Sequence, residues 1–260
     1  MKKIEDLNIG IVGSGNVAHH LAHAFYYHPD INFTALYTRN KHTGRVLADA
    51  VKIQFVENLE HLSKVCDLII ICASDDSIEG ISKQLKTAKH IIAHTSGVVS
   101  MNELSVSSNN YGSFYPLQTF TKTREVDLKE VPFLIDGSNE ACTNILMQLA
   151  KLISNKVFEV NDEQRRKLHI AAVIVNNFSN HLFALTKEYT DSLDLDFDLL
   201  KPLMQETMLK ALAQNPKDIQ TGPAKRKDYK TIGQHESMLT DPKLKELYLW
   251  FTQSIDSYYE

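Results

Sequence analysis

A glycine-rich turn between a short apolar segment and a helix-forming segment constrains this chain most. The stretch Leu7–Ala18 reads L-N-I-G-I-V-G-S-G-N-V-A. Gly13 permits a tight turn, Gly15 lets a ligand approach the backbone, and Ala18 lets the helix pack closely on the strand. Backbone amides at the start of such a helix favour an anion. The pattern predicts a dinucleotide pyrophosphate site, the alternative being a purely structural turn. The predicted contacts are Gly13, Ser14, Gly15, Asn16 and Val17.

The residues after the second predicted strand distinguish between two dinucleotides. The segment Phe33–Tyr37 reads F-T-A-L-Y, and Thr38, Arg39 and Asn40 follow it. An NAD site usually holds the ribose hydroxyls with an acidic residue at this point, and none lies between residues 31 and 46. Hydroxyl, guanidinium and amide groups suit a 2′-phosphate instead, with Arg39 as the fork. The pattern favours NADP; the alternative is that Arg39 is an ordinary solvated loop residue.

Strand and helix patterns alternate along the first 160 residues, an order that predicts a doubly wound α/β sheet. Beyond them the pattern is helical, with helices predicted over Asp162–Tyr189, Asp198–Gln214 and Pro242–Tyr258. We therefore predict a Rossmann domain over residues 1–160 and an all-helical domain over residues 161–260. The predicted strands after the first are Phe33–Tyr37, Ile53–Val56, Asp67–Ala73, His90–His94, Tyr111–Tyr115, Val131–Ile135 and Lys156–Val160.

Small polar loops follow four of the predicted strands. Ligands of doubly wound sheets bind outside the carboxyl ends of the strands. That rule brings two further loops to the edge of the sheet that carries the glycine turn and the Thr38–Asn40 segment. The additional predicted cofactor contacts are Ala73, Ser74, Asp76, Thr95, Ser96 and Gly97.

The long predicted helix is apolar on most sides but carries a polar stripe. At about 100° per residue, Asn176 and Asn180 fall within roughly 20° of His169, whereas Asn177 lies roughly 80° away. Such a stripe must face water, a polar partner or a ligand. If it faces a ligand, His169 is a candidate acid or base, and an Asn would orient a carbonyl or carboxylate. The alternative is a hydrogen-bonded contact between helices or protomers.

Two more polar segments are candidate parts of a site. The segment Thr221–Asp228 (T-G-P-A-K-R-K-D) joins a rigid turn to three adjacent cations, of which Arg226 is our candidate for pairing with an anion. The segment Gly112–Phe120 leaves a strand at the ligand-binding edge, so Tyr115 and Gln118 are candidates to line a cleft. A solvated loop and a structural turn are the respective alternatives.

Composition excludes several classes of partner. The net charge of −4 gives no overall attraction to nucleic acid or to anionic membranes. The three cysteines show no C-x-x-C spacing, so they are predicted to be buried small hydrophobes in a reducing compartment, and no metal-ligand cluster is visible. No segment is expected to be long enough to span a bilayer. We expect a cytoplasmic protein without nucleic-acid, membrane or metal partners.

Five motifs in one order resemble a known family over nearly the whole chain. They are the glycine turn, H-T-S-G at His94–Gly97, Y-P-L-Q-T-F at Tyr115–Phe120, the helix with His169 and Asn177, and the T-G-P…R…D loop. The family comprises Rossmann-like proteins with a helical C-terminal domain of unknown function, often labelled NADP or deazaflavin-dependent NADP oxidoreductases. It is similar to pyrroline-5-carboxylate reductase and to 6-phosphogluconate and hydroxyisobutyrate dehydrogenases.

The resemblance implies a helical domain of the 6-phosphogluconate dehydrogenase C-terminal type and a homodimer formed through it. It also implies cofactor contacts at the glycine turn and at Thr38–Arg39. The chain departs from the family in having Tyr115-Pro116 for His-Pro and Arg226-Lys227-Asp228 for Arg-Gly-Asp. Where helix phase favours Asn176, the resemblance favours Asn177. The implied cleft residues are Ser96, Gln118, His169, Asn177 and Arg226.

These observations lead to two hypotheses of function. The first is an NADP-dependent oxidoreductase that transfers hydride to or from a small carbonyl or imine, with His169 as proton donor, Asn177 or Asn176 orienting the substrate and Arg226 pairing with an anionic group. The second is a non-catalytic dinucleotide sensor or scaffold. It is favoured by the absence of the Lys and Asn, one turn apart, that related dehydrogenases use, since Ala171 lies four residues after Lys167.

Overall fold

An eight-stranded sheet occupies the amino-terminal part of the chain. A computed structural model describes residues 3–85 and 90–259. The strands lie in the order β3-β2-β1-β4-β5-β6-β7-β8, which places the change of direction in strand order next to β1. The strands are β1 (Asn8–Val12), β2 (Asn32–Tyr37), β3 (Gln54–Phe55), β4 (Leu68–Ile71), β5 (Ile91–His94), β6 (Asn110–Pro116), β7 (Phe133–Gly137) and β8 (Val157–Glu159).

Helices lie between most of the strands along the chain, and further helices follow the last strand. The predicted α/β Rossmann-like fold with an all-helical carboxyl-terminal region is thus confirmed. The helices Lys201–Ala213 and Pro242–Tyr258 match predicted helices closely, and the predicted helix Asp162–Tyr189 is divided in two. The helices Pro216–Ile219 and Tyr229–Met238 were not predicted. The helices are α1 (Asn16–Tyr27), α2 (Lys41–Ala50), α3 (Leu59–Val65), α4 (Asp75–Leu85), α5 (Glu140–Ile153), α6 (Asp162–Ala172), α7 (Ser179–Asp191), α8 (Lys201–Ala213), α9 (Pro216–Ile219), α10 (Tyr229–Met238) and α11 (Pro242–Tyr258).

The last two strands run against the first six. Strands β1 to β6 are parallel, β6 pairs with β7 antiparallel, and β7 pairs with β8 in parallel. Two apolar clusters bury the two faces of the sheet. One contains Phe25, Phe114 and Leu146, and the other contains Leu62 and Ile69. The continuous burial of β4 and β5 explains why both read as apolar runs without alternation.

A π-helical turn interrupts the long helix that the sequence predicted as regular. Residues Val173–Phe178 form π-helix between α6 and α7. A π turn places more residues in each turn than an α-helix does, so the phase calculated for a regular helix does not hold beyond Ala172. The prediction that Asn176 shares a face with His169 assumed regular α geometry, and this assumption is wrong.

The combined helix Asp162–Asp191 is long and apolar enough to span a membrane, although no segment was expected to be. Among the described residues it is the one helix long and apolar enough to cross a membrane, with a mean hydropathy of 1.2 in a window of which none is buried. The expectation that no segment is long enough is therefore wrong for this helix. One such helix is only a weak indication of a membrane span, because core helices of proteins without membrane segments meet the same criterion.

The chain forms two compact units, Met1–Asn176 and Asn177–Glu260. The predicted boundary at residue 161 lies earlier, where the last strand gives way to helix. Asn161 caps α6 there, in a capping box with Gln164. The domain boundary drawn from sequence remains a prediction.

Candidate functional site

The glycine turn after β1 has the geometry that its sequence predicts. Gly13 has a φ of +128°, and a Cβ at this position would lie 2.1 Å from the carbonyl oxygen of Cys72. Only glycine can occupy such a position without displacing the backbone of the neighbouring strand end. The turn therefore needs Gly13 for the fold itself, independently of any ligand.

Gly15 differs from Gly13 because it faces open space. No atom lies within 4 Å of a Cβ placed there, and its φ of −74° is ordinary for any residue. Gly15 is also the N-cap of α1 and offers no side chain to the first turn. Among the described residues, the first turn of α1 therefore receives no hydrogen bond from an N-cap side chain. Neither packing nor φ requires glycine at position 15, and the helix start beside it is uncapped. Both features suit the binding of a pyrophosphate.

A cavity of about 560 Å³ opens beside this turn, at the carboxyl ends of β1, β2 and β4. These strands are adjacent in the sheet, so their loops meet at the point where the strand order changes direction. Three of the four predicted loops contribute to its wall. The predicted residues that line it are Gly13, Ser14, Gly15, Thr38, Arg39, Asn40, Ala73, Ser74 and Asp76.

The loop after β2 presents an exposed guanidinium to this cavity. Within the described residues Arg39 forms no ion pair, whereas nearby Arg45 is paired with Glu57 at 2.7 Å. Asn40 has a structural function as well, because its side chain accepts a hydrogen bond from Thr43 N as the cap of α2. Ser14 Oγ lies 2.7 Å from Thr43 Oγ1 and ties the glycine turn to the same helix. Arg39 is therefore the cation of this loop that remains available to an anion.

The loop after β5 contributes to a neighbouring feature instead of to this cavity. Ser96 Oγ accepts hydrogen bonds from Val98 N at 3.1 Å and Val99 N at 3.0 Å, which holds the loop in a tight turn. Gly97 packs against the ring of His169, and a Cβ on Gly97 would lie 2.3 Å from His169 Nδ1. The structure thus brings the predicted loop and the predicted histidine together, in contact.

Tyr115 is the hydrogen-bond partner of this histidine. Its Oη lies 3.0 Å from His169 Nδ1, and the two rings meet edge to face. Burial raises the pKa of the Tyr115 phenol, while the charge of Arg165 opposes that rise and the charge of Asp75 adds to it. The phenol therefore stays protonated at neutral pH. The sequence offered Tyr115 only as a residue lining a cleft and did not predict this pairing.

A buried ion pair that the sequence analysis missed anchors the helix of His169. Arg165 is fully buried, its Nη1 lies 2.7 Å from Asp162 Oδ1, and its Nη2 donates to the carbonyl of Val99. Asp162 also accepts from Ser100 Oγ at 2.5 Å. Arg165 and His169 are four residues apart and so lie on one helix face. The D-x-x-R-x-x-x-H spacing just after a capping box is the signal that could have indicated this arrangement.

His94 lies buried beside this ion pair. Its Nδ1 accepts a hydrogen bond from Ser96 N at 3.2 Å. Burial, assisted by the charge of Arg165, lowers the pKa of His94 to about 4. His94 is therefore neutral at physiological pH and helps to shape the loop that contacts His169.

The remaining predicted site residues are exposed. Gln118 makes a local hydrogen bond from Thr119 N to its Oε1. Asn176 and Asn177 lie in the π turn, and both are exposed. Arg226, in the second compact unit, is exposed within a loop whose Gly222 has a φ of +108°. These four residues remain predictions as site residues.

Two sequence-family models match different parts of the chain. Residues 7–97 match the model of an oxidoreductase family with an NAD-binding Rossmann fold. Residues 131–255 match the model of a domain of unknown function, DUF2520. No protein of curated function matches the chain in sequence.

Solved structures extend the similarity over the whole length. The putative NADP oxidoreductase BF3122 from Bacteroides fragilis is 37% identical with a TM-score of 0.87, over 98% of this chain and all of that one. A Thermotoga maritima protein, TM1727, is 21% identical with a TM-score of 0.77, over 96% and 99% of the two chains. The pyrroline-5-carboxylate reductase of Streptococcus pyogenes shares the fold. It is 13% identical with a TM-score of 0.64, over 96% of this chain and 98% of that one. The chain therefore belongs to the family of Rossmann-fold proteins with a DUF2520 domain that includes the Bacteroides fragilis protein.

Proposed function

We propose that the protein is an NADP-dependent oxidoreductase acting on a small carbonyl or imine. The observation that carries the proposal is the cavity at the ends of β1, β2 and β4, where the open space at Gly15 and the exposed Arg39 lie together. Gly15 and the uncapped start of α1 would hold the pyrophosphate, and Thr38, Arg39 and Asn40 the 2′-phosphate. When bound, NADP(H) supplies or accepts the hydride.

His169 is the proposed proton donor to the substrate. Because Tyr115 Oη is bonded to Nδ1 of the ring, Nε2 is the nitrogen that remains to give a proton to a carbonyl oxygen or an imine nitrogen. Tyr115 fixes the orientation of the ring, and the anchor of Arg165 on Asp162 fixes the helix turn that precedes it. Arg226 would pair with a carboxylate or phosphate of the substrate.

The π turn supports Asn177 as the residue that orients the substrate. One π turn accommodates about one more residue than an α turn. Asn177 is the eighth residue after His169. With one extra residue in the turn, it points in about the direction, around the helix axis, that the seventh residue would take in a regular helix. The disagreement between helix phase and family resemblance thus has a physical origin in this turn.

We further propose a cytoplasmic homodimer formed through the helical region. The helix α8 buries none of its side chains, and Met208 and Leu212, one turn apart on it, are 52% and 82% exposed. Contiguous exposed apolar surface of this kind marks an interaction surface. The support for the cytoplasm is that all three cysteines are free and buried. Light scattering should give twice the chain mass of 29.5 kDa, and a Met208→Glu, Leu212→Glu double variant should be monomeric, unlike Val46→Glu in the other unit.

Cofactor choice is tested by calorimetric titration of NADPH and NADH into the wild-type protein, Arg39→Ala and the control Arg45→Ala. Loss of a charge-assisted hydrogen bond should weaken NADPH binding about 10- to 100-fold in Arg39→Ala alone. Binding of NADH should stay unchanged. Equal affinity for both dinucleotides in all three proteins would overturn the assignment of NADP.

Catalysis is tested by a screen of small keto acids, aldehydes and cyclic imines with NADPH. Turnover should fall about 10²- to 10⁴-fold in His169→Ala while NADPH affinity is retained. Tight NADPH binding without turnover of any compound would favour the sensor or scaffold function. Full activity of His169→Ala would remove His169 from the mechanism.

A further inference from the structure

A second cavity of about 560 Å³ lies on the first compact unit, away from the glycine turn. Helix α1 forms one wall, and the segment 122–129 forms another. No residue that lines it also lines the cofactor cavity. Four histidines contribute to its surface: His19, His20, His23 and His28.

Two of these histidines face each other across one turn of α1. His19 and His23 are four residues apart, their ring centroids are separated by 4.5 Å, and the ring planes are inclined by 58°. Within the described parts of the chain neither ring makes a hydrogen bond. His20 differs, because its Nε2 lies 2.9 Å from the carbonyl oxygen of Thr121 and its ring packs on Phe120. His19 and His23 are thus the pair whose nitrogens are available.

The surroundings of both rings favour the neutral imidazole. Burial lowers the pKa of His19, and the charges of His23, His20 and Lys122 lower it further. Burial and the charge of His20 lower the pKa of His23. A neutral imidazole has the free lone pair that a metal ion requires, so these rings need lose no proton to act as ligands.

We propose that His19 and His23 chelate a divalent transition-metal ion, with water completing its coordination. Metal–nitrogen bonds of about 2.0–2.1 Å place two nitrogens on one ion roughly 3 Å apart, a spacing that side-chain rotation can reach from rings 4.5 Å apart. Imidazole ligands select Cu²⁺, Ni²⁺ and Zn²⁺ over Mg²⁺ and Ca²⁺, with Cu²⁺ bound most tightly.

The surroundings define a weak, open site. Among the residues that the structure describes, no group of three or more histidine, cysteine or acidic side chains could hold a metal ion. The lining also carries the cations Lys122, Arg124 and Lys129 against the carboxylates Glu125 and Asp127, which leaves an excess of one positive charge. With two protein ligands and this charge, binding should be far weaker than at a four-ligand structural site.

The test is calorimetric titration of NiCl₂ into the untagged full chain, with His19→Gln, His23→Gln and the control His42→Gln. His42 is exposed on α2 and has no histidine one turn away. Glutamine is a good helix former, and circular dichroism verifies that each variant is folded. The wild-type protein and His42→Gln should bind one ion per chain. Each α1 variant should bind at least about tenfold more weakly, since even loss of an outer-shell group costs about 10- to 100-fold.

Two results would overturn the proposal. One is the absence of saturable binding in the wild-type protein at neutral pH. The other is binding of equal affinity in the wild-type protein and the His19→Gln, His23→Gln double variant, which would place the ion elsewhere. NADPH titration of the same samples separates this proposal from the proposed function, because the α1 variants leave the cofactor cavity intact.

Discussion

Tyr115 Oη lies 3.0 Å from His169 Nδ1, and this hydrogen bond joins the sixth strand of the sheet to the long helix. Gly97 packs against the same ring, close enough to exclude any side chain. A strand and a loop thus hold a histidine ring that the long helix carries. Such fixed orientation is what a residue that donates a proton to a bound substrate requires.

Replacing Gly97 by Ala should displace the His169 ring. The new Cβ would lie 2.3 Å from His169 Nδ1, so the ring must rotate away and lose the bond to Tyr115. Turnover in the assay defined above should fall at least tenfold, with NADPH affinity unchanged. Gly233→Ala is the matched control, because nothing lies within 4 Å of that position. Equal activity of both variants would contradict the contact.

The two glycines of the turn should respond differently to the same substitution. Gly13→Ala brings a Cβ against the backbone of Cys72 at positive φ, and should cost about 2 kcal/mol or more of the free energy of unfolding. Gly15→Ala meets no atom within 4 Å, so its melting temperature should match the wild type while NADPH affinity falls at least tenfold. Thermal denaturation and calorimetry check the pair. Normal NADPH binding by Gly15→Ala would argue against the pyrophosphate at this turn.

Lys227→Gly should stabilise the protein. Lys227 has a φ of +56°, in the left-handed region that favours glycine. The left-handed conformation costs a residue with a Cβ about 1 kcal/mol, and glycine removes that cost. Urea denaturation should therefore show a free energy of unfolding higher by about 1 kcal/mol. Lys225→Gly, which loses a contact of 4.9 Å with the Tyr259 ring, should not be stabilised.

His94 should make stability depend on pH in the acidic range. Its pKa falls from 6.5 to about 4 on folding, so the unfolded chain binds a proton that the folded chain does not. The resulting stability is complete above pH 6.5 and is lost as the pH falls toward 4. The side-chain carbonyl of Asn in His94→Asn can still accept from Ser96 N. In this variant the free energy of unfolding should change less steeply with pH than in the wild type, by up to about 1.4 kcal/mol per pH unit. Identical slopes in urea denaturation at pH 7, 6 and 5 would show that His94 is not neutral when buried.

Most of the sheet was predictable because its central strands are buried on both faces. The apolar runs that become β4 and β5 are typical of strands covered on both faces of a sheet. The direction of β7 was not predictable, since a strand of given pattern can pair in either sense. In the folded chain β7 pairs antiparallel with β6, and α5 packs on both strands.

The sequence also predicted which loops line the cavity beside the glycine turn, but not that the Thr95–Gly97 loop lies outside its wall. Loops after adjacent parallel strands must meet at one edge, so Gly13, Arg39 and Ser74 could be brought together by rule. Thr95–Gly97 follows a strand one place further along the sheet. Its distance from β1 explains why this loop meets His169 and is not part of the cavity wall.

What the sequence determined by itself was local: a glycine turn whose conformation only glycine can adopt, strands too apolar to be exposed, and a loop without the acid that NAD sites use. Only the tertiary structure decided which polar residues meet. Two hydrogen bonds, between Tyr115 and His169 and from Arg165 to the carbonyl of Val99, join residues more than fifty positions apart in the chain. The π turn changed the helix phase on which Asn176 had been favoured. Periodicity describes one element at a time, whereas a site depends on the packing of several.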